Sequence, residues 1–387
     1  MWSFLVSLCV SFVLTGLIIG SARWHARFST DFDHSQPQKF HSADVARIGG
    51  AGVMAGLLAG LLLSSPLVDP EDSLDLAQLA CCTMVAFLAG FIEDLTKRVS
   101  PKMRLMSTVL AATAALWLVD GVICRSDIPV LDTLLCWGNL PIGPVSVALT
   151  LFAVAGGTNS VNLIDGFNGL ASMCVTLMLA ALAVIAFHVG DVLVLQGALL
   201  GLGAVLGFFV WNYPRGLIFL GDGGAYLLGF WVAELGILLV HRNSQVSPLF
   251  PILIFAYPLV ETLFTIYRRR VVRGQSITRA DASHLHSLIY RRLTRHAHGS
   301  KRDAAVLLRR NSMTAPYLWA LSLTSILPAL LFWNNSTALG WLCLGFAALY
   351  VWLYRTIIRF HTPAFLLRAS PRGLHEAPAL PPHSLPR

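Results

Sequence analysis

The sequence predicts an all-α, polytopic integral membrane protein of about eleven spans. Three observations carry that prediction. Hydrophobic residues make up 56% of the 387 residues and charged residues only 12%, about half the charge that a water-covered surface needs. The apolar residues gather in runs long enough to cross a hydrocarbon layer of about 30 Å. The basic residues sort to one side of those runs, as the positive-inside rule demands.

The runs lie near 2–21, 48–67, 77–92, 104–120, 143–160, 169–188, 192–211, 224–240, 248–267, 314–333 and 338–354. The first has no basic n-region and no A-x-A cleavage site, so it reads as a retained span rather than a signal peptide. With the N-terminus outside and the C-terminus cytoplasmic, all Lys and Arg except Arg125 and Arg242 fall inside. The formal charge of +8 is therefore a topology signal, and a nucleic-acid footprint has no support. The outside loops carry Asp69, Glu71, Asp72, Asp75, Asp120, Asp127, Asp132 and Asp191.

This organisation gives a transmembrane domain over 1–360 with inside loops at 22–47, 93–104, 159–168, 212–223 and 268–313. Residues 361–387, rich in Pro and without pattern, read as a disordered tail. The excursion 121–142 faces outside and holds Cys124 and Cys136, a pair open to two readings, two free thiols or a disulfide if that side is an oxidising compartment. The 268–313 stretch is basic enough to lie on an anionic inner leaflet.

Five inside sites carry polar residues that a bare helix bundle does not require. Glu93-Asp94 closes the third span, and two adjacent carboxylates beside hydrocarbon are costly unless a cation offsets them; Lys97 and Arg98 could equally neutralise a plain loop. Residues 156–170 crowd three Asn, one Asp and four Gly between two spans, and Asn159 and Asn162 share a face if that turn is helical. Asp222 sits between Gly221 and Gly223 where the eighth span begins. It suits either a hard cation or a plain N-cap. His284 and His286 lie in the basic loop after Asp281, downstream of Arg268, Arg269, Arg270 and Arg273, and suit phosphate better than zinc. Arg47-Ile48-Gly49-Gly50, with His41 upstream, opens the second span, where glycines permit close helix packing.

Taken in order, these sites resemble the polyprenyl-phosphate N-acetylhexosamine-1-phosphate transferases, glycosyltransferase family 4. That family includes phospho-MurNAc-pentapeptide translocase and the GlcNAc-1-phosphate transferases. The resemblance spans roughly residues 40–300 and is most specific over Asn159–Leu170 and Phe219–Asp222. It implies a cytoplasmic-face active site that transfers a sugar-1-phosphate from a UDP-N-acetylhexosamine to undecaprenyl phosphate and releases UMP. The setting implied is the bacterial inner membrane, at the first membrane step of cell-surface polysaccharide synthesis. Catalytic roles fall on Glu93, Asp94, Asp165 and Asp222, with Asp222 the ligand of Mg²⁺ or its substitute Mn²⁺. Substrate binding falls on Arg47, Lys97, Asn159, Asn162, Asn168, Asn212, Phe219, His284 and His286. Asn212 matches an amide implicated in uridine binding, and Phe219 the ring that stacks the base. The expected partners are both substrates and the bilayer, with a homodimer left open.

Glu93 stands where the family has Asp, and Asn168 where it has a second Asp. Both departures bear on which sugar nucleotide is used. The rival reading is a secondary transporter of an anionic solute, for which intramembrane Glu234 and Glu261 would line the path. Polar groups gathered at one face, with no inverted repeat, favour the transferase.

Overall fold

A computed structural model describes residues 1–29, 45–64, 69–135, 143–272, 274, 283–294 and 303–359. The expectations at His41, Arg273, Asp281, the 361–387 tail and the Cys124–Cys136 pairing (through Cys136) fall outside the described residues.

Among the described residues, the regular elements are all helices. In chain order they are α1 (Trp2–Gly20), α2 (Ala22–Ser29), α3 (Gly49–Ser64), α4 (Pro70–Thr96) and α5 (Pro101–Leu118). A short α6 (Pro129–Leu135) follows, then α7 (Pro144–Ile164), α8 (Leu170–Val189), α9 (Val192–Asn212) and α10 (Gly221–Arg242). The last are α11 (Leu249–Ile254), α12 (Ala256–Tyr267), α13 (Leu285–Ile289), α14 (Ala304–Leu331) and α15 (Ser336–Ile358). Single π-helical turns, Arg268–Val272 and Tyr290–Thr294, continue α12 and α13.

Eight described helices are long and apolar enough to cross a membrane. The other three expected spans fall on α3, on α5 and on the α11–α12 pair. The expected single span at 248–267 is therefore corrected to two helices meeting at Phe255. The cause is Pro258, which has no N–H to offer the carbonyl of Ile254.

Helices also run further into the basic end than hydropathy alone indicates. The expected loop at 159–168 is instead the last turns of α7 plus a short turn, 165–169. The 93–104 loop shrinks because α4 continues through Glu93-Asp94 and α5 starts at Pro101, with Ser100 Oγ accepting Met103 N–H at 3.3 Å. In the 268–313 loop, α14 begins at Ala304, capped by Asp303. Polar residues lower the local hydropathy of these turns without breaking their helical hydrogen bonds.

Small residues let three helices meet closely. Ser3, Ser7, Ser11 and Thr15 form one buried stripe on α1, facing Gly52, Gly56 and Gly60 of α3 and Gly203 and Gly207 of α9. A Cβ on Gly56 would lie 2.6 Å from the Ser7 carbonyl oxygen. Ser11 Oγ donates to the Ala204 carbonyl at 2.7 Å, so the stripe also binds its neighbour by hydrogen bonds. At the centre is α10, packed against α3, α4, α5, α7, α8 and α9. Its core face includes the fully buried Phe230 and Trp231.

The acidic end is tied by the two basic residues that do not sort to the other side. Arg242 reaches Asp72 at 3.1 Å and Asp191 at 3.2 Å, joining α4, α9 and α10. Arg125 pairs with Asp127 at 2.8 Å and donates to the Val246 carbonyl at 2.6 Å. The charge pattern assigns this end to the outside. In a background with the native cysteines replaced, Glu71→Cys should react with a membrane-impermeant thiol reagent on intact cells. Arg98→Cys should react only after lysis; the reverse pattern would invert the orientation.

Candidate active site

At the basic end, the site is built around the start of α10. Gly221 takes φ +76°, a left-handed turn that favours glycine, and α10 follows at once. Its first free backbone N–H groups are satisfied from another helix: Asp94 Oδ1 accepts from Asp222 N–H at 2.9 Å and Oδ2 from Gly223 N–H at 2.8 Å. Asp94 is only 1% exposed. A buried carboxylate on a helix N-terminus is stabilised by both hydrogen bonds and the helix dipole. The N-cap reading of Asp222 is thus corrected: Asp94 is the cap.

That arrangement leaves the Asp222 carboxylate for other partners. It ion-pairs with Arg104 of α5, and Arg47 approaches at 3.8 Å. Arg104 also lies 5.7 Å from the Tyr226 ring centroid. The backbone around Arg47 is held to the same turn. Phe219 N–H donates to the Ala46 carbonyl at 2.9 Å, and Gly49 and Gly50 N–H groups donate to the Phe219 and Leu220 carbonyls at 3.0 and 2.9 Å. These bonds fix the Phe219 backbone at this turn, and the residue itself is half-buried.

Glycine permits the crossing of α4 and α10. A Cβ on Gly90 would stand 2.6 Å from the Asp222 carbonyl carbon and 2.6 Å from Gly223 N. Gly90→Ala should therefore destabilise the protein by about 1–3 kcal/mol and displace Asp222. The check is thermal unfolding in detergent alongside activity, and an unchanged midpoint with normal turnover would contradict the tight crossing.

The 165–169 turn completes the cluster. Burial pushes the Asp165 carboxyl up to about 7; Arg47 opposes this, while Asp222 and Asp94 add to it. Three carboxylates and two guanidinium groups thus share one site. Asn159 and Asn162 stand half-buried on the last turns of α7 and make no side-chain hydrogen bond to a described residue. Asn168 N–H donates to Asn311 Oδ1 at 2.9 Å, and Asn168 Nδ2 donates to the Pro214 carbonyl at 3.1 Å. An Asp at 168 would set a carboxylate against that carbonyl, a physical reason for Asn here.

Asn212 is used wholly by the fold. Its Oδ1 accepts Gly169 N–H at 2.6 Å and its Nδ2 donates to the Ile218 carbonyl at 2.7 Å, so it splices two turns together. Glu93 faces away from Asp222 and accepts Val99 N–H at 2.6 Å. Lys97 Nζ donates to the Asp94 carbonyl at 2.8 Å. His284 and His286 stack at 5.1 Å, and His286 meets Phe167 edge-on at 5.4 Å.

Residues 76–240 match the model of Glycosyl transferase family 4. The chain is 28% identical over 258 residues to a probable undecaprenyl-phosphate N-acetylglucosaminyl 1-phosphate transferase of Bacillus subtilis (strain 168), covering 66% of this chain and 68% of that relative. It is 29% identical over 290 residues to the undecaprenyl-phosphate alpha-N-acetylglucosaminyl 1-phosphate transferase of Escherichia coli (strain K12), covering 72% and 74%. The enzyme of that same name from Salmonella typhi matches at 28% over 313 residues, 79% and 82%.

Sequence reasoning missed three parts of this candidate site. Arg104 reads as one more basic anchor at a span start, and only its pairing with Asp222 singles it out. Asn311 and Arg310 lie on a helix start that hydropathy leaves in the loop; Arg310 sits 4.5 Å over the Tyr290 ring. Glu261, which counts as a transporter-like acid in sequence, accepts from His284 Nδ1 at 3.0 Å and from Tyr350 Oη at 2.8 Å.

Among the described residues, no three His, Cys, Asp or Glu side chains converge to hold a metal by themselves. The donor chemistry still suits Mg²⁺, which takes one or two carboxylates and completes its shell with water and substrate phosphate. Asp222 and Asp165 supply oxygen donors beside Arg47.

Proposed function

We propose that the protein transfers N-acetylglucosamine-1-phosphate from UDP-GlcNAc to undecaprenyl phosphate in the bacterial inner membrane, releasing UMP. This would begin a cell-surface polysaccharide. The observation that carries the reading is the Asp94-capped start of α10, which aims Asp222 at Arg47 and Arg104 on the basic end of the bundle.

The reaction asks the protein to gather two polyanions and neutralise charge. An oxygen of the lipid phosphate attacks the β-phosphorus of the UDP-sugar; the bond to UMP breaks and UMP leaves with the electron pair. Arg47 and Arg104 hold phosphate oxygens. Phe219 stacks on the base, and Asn159 and Asn162 offer amides to the sugar nucleotide. A divalent cation, Mg²⁺ or Mn²⁺, held by Asp222 with Asp165 nearby, supplies neutralisation of the diphosphate charge. The second pKa of a phosphate monoester is near 6, so the attacking oxygen is already ionised at pH 7. Asp94 and Glu93, both engaged with backbone N–H groups, need not act as base.

The transporter reading loses one of its two acids, because Glu261 is bound to His284 and Tyr350; Glu234 is fully buried and neither of its oxygens is hydrogen-bonded to a described residue. The test is an exchange assay with purified protein, undecaprenyl phosphate, a panel of UDP-sugars and labelled UMP. Label entering UDP-GlcNAc only when the lipid is present supports the proposal. Exchange with another UDP-sugar reassigns the donor, and no lipid-dependent exchange with any sugar rejects the function.

A further inference from the structure

Glu261 stands on α12, is 1% exposed and lies outside the 76–240 family match. Its carboxylate draws donors from two other elements. His284 Nδ1 lies at 3.0 Å, Tyr350 Oη of α15 at 2.8 Å, and the Leu285 N–H at 3.3 Å from both oxygens. Thr265 Oγ1, one turn along α12, also reaches His284 Nδ1 at 3.3 Å. A buried carboxylate needs such a set of donors, but fewer would pin a loop. The feature that points beyond anchorage is where the imidazoles go.

His284 stacks on His286 at 5.1 Å with ring planes 17° apart. His286 in turn lies edge-on to Phe167, and its Nε2 comes within 3.5 Å of where a Cβ on Gly166 would stand. A line of contacts thus runs from Tyr350 through Glu261, His284 and His286 to the turn that carries Asp165. A carboxylate on one imidazole nitrogen fixes the ring's orientation and which nitrogen remains for a ligand. His284 Nε2 makes no hydrogen bond to a described residue.

We propose that Glu261 and Tyr350 are positioning residues, which hold the His284–His286 pair against the Asp165 turn so that the pair binds the anionic diphosphate of the sugar nucleotide. The inference rests on the proposed UDP-sugar transfer. Neither Glu261 nor Tyr350 touches substrate; each acts through His284. Binding that is equal in ground and transition states appears in KM rather than kcat, which separates positioning from damage to the fold.

The test uses the purified full-length chain in lipid nanodiscs. Glu261→Gln should raise KM for UDP-GlcNAc about ten-fold, the size expected for a lost carboxylate behind an imidazole ligand. Its kcat and its KM for undecaprenyl phosphate should stay within about two-fold. In a His284→Ala background the same substitution should add nothing further, since both act through one group. Tyr350→Phe should shift KM the same way by less, and it carries the test should Glu261→Gln fail to fold. Unchanged kinetics in a folded variant, a fall in kcat at constant KM, or an effect that multiplies with His284→Ala would each overturn the inference. A wild-type protein that turns over no UDP-sugar would instead reject the proposed function.

Discussion

Asp222→Asn should lower turnover by at least about a hundred-fold, beyond what is typical for losing a group that merely supports a metal ligand. The purified protein should remain folded. Asn matches Asp in shape and occupies the first turn of α10, whose backbone is held by Asp94 rather than by Asp222 itself. What disappears is the charge that faces Arg104 and Arg47. Steady-state rates should be read beside size-exclusion and thermal unfolding of the same sample. A folded variant retaining a tenth of wild-type activity would remove Asp222 from its proposed role.

Asp94→Ala should cost both stability and activity. It leaves two N–H groups at the start of α10 without their acceptors, each costing about 1–3 kcal/mol if water cannot replace the carboxylate. Asp222 then loses its fixed position, and turnover falls with it. Asp94→Asn keeps one acceptor oxygen and presents an NH₂ group to the other N–H, so its unfolding midpoint should lie between those of Asp94→Ala and the wild type. The pair of variants tests the cap against a direct chemical role. An Asp94→Asn protein with a wild-type midpoint and no activity would show that the carboxylate does chemistry rather than hold the helix.

The acid pair shows how far a sequence can be read. Glu93-Asp94 is conspicuous because two carboxylates sit beside an apolar run. Adjacent residues on a helix point about 100° apart, so both cannot serve one site. Packing decides: Asp94 turns to α10 and Glu93 to Val99. The amide cluster was more legible, since the spacing of Asn159 and Asn162 already puts them on one face, and α7 continues through both. Asn212 was conspicuous for the same reason as the others, an amide beside an apolar span. Its bonds to Gly169 and Ile218 are invisible until the turns are brought together.

Arg104 and Glu261 mark the opposite limit. Each has an ordinary reading in sequence, as an interfacial anchor and as a polar residue in a span. Their partners lie 118 residues away at Asp222 and 89 away at Tyr350. Nothing in local composition signals such a pairing.

The sequence by itself determined the solvent of this protein and its helical class, and it marked one basic end and five clusters of polar residues beside the apolar runs. These follow from hydropathy and charge, which are summed along the chain and must match the bilayer whatever the helices do to one another. Only the tertiary structure decided where each helix ends, which carboxylate caps α10, that Asp222 faces two arginines and that Glu261 holds His284. Those outcomes depend on helix rotation and depth, which close packing at glycines such as Gly50 and Gly90 sets to within an ångström, and no linear pattern encodes them.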